Sequence, residues 1–199
     1  MNANRTIPMP AVALALATAL ALGPTPLLAQ ETGRADDGEV RVIGTVSPIC
    51  SLGEPSETVI DLGVLVNLSG PQVGRTAPIA PRQVTMPNSF CNYPNTMITI
   101  SADALLELGG TPVNAGFSRA VNYSIGVFPW AADEARLATS AARDGSGPTG
   151  IASSSSQPLP QVSDLTLELS DFSAPSDALL VAGDYSGLIV VTLGPAAEF

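Results

Sequence analysis

The side chains with chemical capacity in this 199-residue chain are Cys50, Cys91, 18 carboxylates and eight arginines; histidine and lysine are absent. Without an imidazole there is no Ser/His/Asp or Cys/His nucleophilic site and no HExxH zinc site. Without lysine there is no Schiff base and no P-loop cation. The carboxylates offer little more. Asp37-Gly38, Asp144-Gly145-Ser146-Gly147 and Gly183-Asp184 are turn sequences, because Asp and Gly supply the conformations tight turns require. No Asp-Thr-Gly or Asp-Ser-Gly pair marks an aspartic-protease dyad, and no run of alternating oxygen ligands suits Ca²⁺. The chain is therefore read as a non-enzyme, with no catalytic residue, no cofactor-binding residue and no metal ligand. A net charge of -10 repels phosphate backbones and excludes nucleic acid as a partner. Trp130, after Phe128-Pro129, reads as a core or rim aromatic rather than a sugar-stacking platform.

The cysteines take their meaning from the N-terminus. Arg5, an apolar run over residues 11–22 and the small Ala29 follow the order of a signal peptide, with cleavage expected after Ala29. A run of twelve residues falls short of the roughly 20 a membrane-crossing helix needs, so no membrane span is expected after cleavage. In an exported chain, two cysteines 41 apart with no CxxC spacing read as one structural disulfide, Cys50 to Cys91.

The elements that must carry these residues are strands. Val40, Val42, Gly44 and Val46 share one face of an extended segment over residues 39–46, since side chains alternate with period two. Further strands are expected over residues 58–65, 97–101, 120–128, 164–169, 179–181 and 185–193. A Pro/Gly/polar stretch covers residues 69–89, and a low-complexity loop covers 144–160. Residues 103–108 suit a single helical turn. Residues 131–143 have helical composition without an apolar stripe, leaving helix and solvated loop both open. Short strands between Gly/Pro/Ser turns give an all-β sandwich.

Three features in order along the chain resemble the chaperone-usher pilin superfamily. They are the exported segment GEVRVIGTVSPICSLGEPSETVIDLGVL over residues 38–65, Cys91 at the usual disulfide spacing, and Ala182-Gly183-Asp184-Tyr185 before a last strand. Val121-Asn122-Tyr123-Ser124-Ile125 is also similar to the archaic, spore-coat-protein-U type. The resemblance implies an incomplete immunoglobulin-like β-sandwich over residues 49–199, an N-terminal extension over 30–48 and a signal peptide over 1–29. It implies a subunit of an extracellular fimbria or surface coat fibre that supports adhesion or biofilm formation. Subunits would join by donor-strand exchange, passing through the periplasm to the cell surface. Its partners would be a periplasmic chaperone, an outer-membrane usher and neighbouring pilin subunits. Val40, Val42 and Val46 would fill pockets in a neighbour, and Gly44 would pass where no side chain fits. The acceptor groove would draw on Leu188, Ile189, Val190, Val191 and Leu193, with the inward parity left open. The competing reading is a self-complete, monomeric, secreted β-sandwich that binds a ligand.

Overall fold

A computed structural model describes residues 38–195. The signal peptide expected over residues 1–29 lies outside them, as do residues 30–37 and 196–199. The chain divides between Gly44 and Thr45, and the fold is that of the larger unit. It is all-β. In chain order the strands begin with β1 (Cys50–Ser51), β2 (Arg82–Cys91), β3 (Thr96–Ala102), β4 (Leu105–Glu107), β5 (Phe117–Ser118) and β6 (Ala120–Phe128). They continue with β7 (Ala135–Ala138), β8 (Gly150–Ser153), β9 (Gln161–Ser173), β10 (Leu179–Leu180), β11 (Tyr185–Ser186) and β12 (Ile189–Pro195). One sheet of seven strands runs β1-β2-β9-β6-β4-β11, with β7 also on β6; a second runs β12-β3-β8; β5 and β10 form a short parallel pair.

Alternation explains the core. Ile98, Ile100 and Ala102 of β3, Tyr123, Ile125 and Val127 of β6, and Leu165, Leu167 and Leu169 of β9 are buried in one cluster. Their polar neighbours Thr166 and Glu168 face out. Each fully buried Ile, Leu or Val contributes about 1.5–3 kcal/mol relative to exposure. Trp130 belongs to this cluster at full burial. Tyr123 stacks on Phe172 at 5.6 Å and donates from Oη to the carbonyl of Asp103 at 2.7 Å.

β2 carries a change of parity. Val84 and Met86 point inward, and so do Ser89 and Cys91, because the register shifts between Met86 and Ser89. Asn88 takes the extra position at φ 53 and donates its N–H to Asp164 Oδ1 at 2.8 Å. This bulge turns Cys91 into the core, where it is disulfide-bonded to Cys50 across the β1–β2 pair.

Six local expectations are corrected, the first being the strand expected over residues 185–193, which is interrupted at Gly187-Leu188 into β11 on β4 and β12 on β3. Residues 58–65 form no strand: Ile60 and Leu62 pack against the core, but among the described residues the backbone of 58–64 pairs with no other segment. The stretch over 69–89 contains most of β2, whose Pro87 disguised it by falling at the bulge. Residues 103–108 hold β4 rather than a helical turn, and residues 131–143 hold β7 rather than a helix or a plain loop. In both cases an open edge of β6 supplies the partner. The low-complexity loop also contributes β8, which pairs with β3.

Candidate functional site

β12 is the last described strand, and among the described residues it pairs on one side only, with β3, from Ile189 opposite Ala102 to Pro195 opposite Thr96. The parity left open by sequence is resolved by packing. Ile189, Val191 and Leu193 turn toward the core and are half-buried, whereas Val190 and Thr192 face outward. Leu188 precedes the strand and is exposed. The carbonyl of Leu188 accepts from Asp103 N–H at 3.0 Å. Directly opposed residues of an antiparallel pair alternate between bonded and non-bonded. Val190, Thr192 and Gly194 therefore spend their peptide groups on β3, while Ile189, Val191 and Leu193 aim theirs at the free edge.

The same three residues thus turn apolar side chains to the core face of the sheet and, among the described residues, leave their backbone groups unpaired at its edge. An edge of this kind is a template for another strand. β1 approaches β12 across the opening. From β1 the chain runs on to residues 59–66, which with Gly74, residues 180–185 and Leu105 bound a groove of about 660 Å³ that neither Leu188 nor any residue of β12 lines. Sequence reasoning missed this wall as a wall. Its signal was present in Ile60 and Leu62, but Gly63, at φ 67 and donating to Asp61 Oδ1 at 2.8 Å, resets the alternation so that Leu65 also turns in.

Behind the 180–185 side stands a buried carboxylate. Glu107 Oε1 accepts from Gly109 N–H at 2.8 Å and Oε2 from Thr111 N–H at 3.0 Å, with Arg119 Nη2 3.8 Å from Oε2. Arg119 also donates to the Glu107 carbonyl at 2.7 Å. The Thr111 N–H, with help from Gly109, Thr111 Oγ1 and Arg119, holds the Glu107 carboxyl below its ordinary pKa against the opposing effect of burial. A Cβ on Gly183 would lie 2.8 Å from Glu107 Cγ, so the carboxylate side chain buttresses this turn. Tyr185 follows it, donating to the Val181 carbonyl at 2.8 Å, and burial together with the Glu107 charge raises its phenol. The arrangement is structural chemistry. Among the described residues no group of three or more Cys, Asp or Glu is placed to hold a metal ion, and no helix is long and apolar enough to cross a membrane.

Val40, Val42 and Val46 lie in no strand and are 85%, 90% and 82% exposed. A Cβ at Gly44 would meet nothing within 4 Å. Within the larger unit, Asn92 Nδ2 donates to the Ser47 carbonyl at 2.9 Å and its Oδ1 accepts from Ile49 N–H at 2.7 Å. No family model, curated protein or solved structure matches the chain.

Proposed function

We propose that this protein is an exported structural subunit of a surface fibre, an incomplete immunoglobulin-like sandwich that polymerises by accepting a strand from a neighbour. The observation that carries the reading is β12: among the described residues it is paired on one side, with Ile189, Val191 and Leu193 half-buried and their peptide groups aimed at an open edge. A strand laid there satisfies the backbone and covers the apolar side chains together, which is the physics of β-augmentation. The chain holds a matching segment, since Val40, Val42 and Val46 alternate on an exposed stretch with Gly44 among them. A donor from another copy leaves that copy's own edge open, so the contact propagates head to tail into a filament. Before assembly the edge requires a temporary partner, which is the role of the periplasmic chaperone; an outer-membrane usher then completes the export route. The fibre supports adhesion or biofilm formation.

The test is migration of the exported protein on SDS gels without and with heating, beside a deletion of residues 39–46. A heat-labile ladder of multiples that vanishes in the deletion is the expected result. A single monomer band in both, with the deleted protein folded, would establish a free-standing β-sandwich module instead.

A further inference from the structure

We propose that the donor segment of one copy pairs antiparallel with β12 of the next in a single register set by its outer face, with Ile43 seated directly opposite Val190. This rests on the strand-exchange reading and adds to it the partner residues and their alignment.

Orientation follows from where the chain enters the fold. Asn92 holds residues 47–49 beside the turn between β2 and β3, and Thr96 at the start of β3 lies opposite Pro195 at the end of β12. Residues 47–49, at the N-terminal end of the larger unit, therefore lie at the Pro195 pole. If an incoming donor lay parallel to β12, its Val46 end would emerge at that same pole and bring two neighbours to one site. Laid antiparallel, its Val46 end emerges at the Ile189 pole, and neighbours occupy opposite poles as a linear fibre requires.

Register follows from the face that the groove does not use. Beyond the valines, the donor carries Glu39, Arg41, Ile43 and Thr45 on its other side, and Ile43 is 81% exposed. The outer face of the β12-β3-β8 sheet is built in rows. One is apolar at both ends, Val190–Ser101–Ile151, with Val190 46% exposed and Ile151 also exposed. The next is polar, Thr192–Thr99–Ser153, closed by a 2.9 Å hydrogen bond between Thr99 Oγ1 and Ser153 Oγ. With Ile43 opposite Val190, Arg41 continues the polar row, Val40 and Val42 lie beside Leu193 and Val191, and Gly44 passes Ile189. A shift by two residues in one direction places Ile43 on the polar row. The same shift in the other direction leaves Leu193 opposite Gly38, uncovered. Cross-strand pairs of like character favour the first alignment.

Because Val190 directs its peptide group to β3, the Ile43–Val190 pair is of the non-hydrogen-bonded kind, with Cα atoms about 4.5 Å apart, within the span of a disulfide. The experiment exports the full chain carrying I43C together with V190C, and in parallel I43C with T192C and I43C with L188C. The expected result is a heat-resistant, thiol-reducible ladder for the Val190 pair, at least tenfold stronger than for either shifted pair. Heat-labile multimers whose cross-link forms only with Thr192 or Leu188, or with none of the three, would overturn the register and leave strand exchange standing. Monomers alone in all three, and in the unmodified protein, would overturn both.

Discussion

Gly53 lies against the backbone of Pro87 so closely that a Cβ at position 53 would stand 1.8 Å from the Pro87 carbonyl oxygen. The contact seats the chain leaving β1 on the bulge of β2, and it is closed by Gly53 N–H donating to Ser89 Oγ at 2.9 Å, with Ser89 Oγ donating on to the Met86 carbonyl. The obstructing atoms are backbone, so no rotamer relieves them. Gly53→Ala is expected to destabilise the domain by about 2–4 kcal/mol, in the range of overpacking and buried-network losses, read as a lower denaturant midpoint. An unchanged midpoint would contradict the close approach.

The bulge also decides how the disulfide forms. Asn88, at φ 53, is in a region where Asn is tolerated and β-branched residues are strained. Asn88→Val is expected to lose about 1–2 kcal/mol, and Asn88→Gly much less. Removing the bridge itself, as Cys50→Ala with Cys91→Ala, frees a loop of separation 41. The loss expected from chain entropy is ~4 kcal/mol, measured as the difference in denaturant midpoint from the oxidised protein. Equal stability of the two would show that native packing alone fixes β1 on β2.

Glu107 gives the domain an acid-sensitive joint. Its pKa is lowered in the fold, chiefly by the Thr111 N–H. A group depressed on folding contributes stability above its unfolded pKa, and the contribution is lost as pH falls through the folded value. Glu107→Gln is therefore expected to be less stable than wild type at pH 7, with the gap closing progressively as acid titrates the wild-type carboxylate. Thermal melts from neutral pH into the acid range follow this, and a gap independent of pH would exclude ionisation as its source.

Thr96 offers a change of opposite sign. The residue is fully buried at the start of β3, and among the described residues its Oγ1 has no hydrogen-bond partner. Replacing a buried, unsatisfied hydroxyl by a methyl of similar shape removes a desolvation cost. Thr96→Val is expected to raise stability by about 1 kcal/mol and the Tm by a few degrees. A fall in Tm would mean that the hydroxyl is satisfied in solution.

Strands such as β3 and β6, and residues 164–169 of β9, were legible in the sequence because their alternation is uninterrupted; the rest of β9 was not, since its parity changes at a bulge where Asp171 takes φ 57 and Phe172 turns inward. The two cysteines likewise determined their own pairing, since no other thiol is present. What a neighbour supplies was not legible. Residues 58–65 alternate as well as many strands do, yet among the described residues no backbone comes alongside 58–64 to take their hydrogen bonds. Residues 131–143 have helical composition, yet the open edge of β6 makes 135–138 into β7. Pro87 hid β2 because a proline is acceptable at a bulge, and only the register against β9 places the bulge there. The sequence by itself determined which side chains avoid water, a local property of residue type and period. The tertiary structure decided which backbones find partners and which face of β12 turns inward, because a hydrogen-bond ladder needs a second strand brought in from elsewhere in the chain.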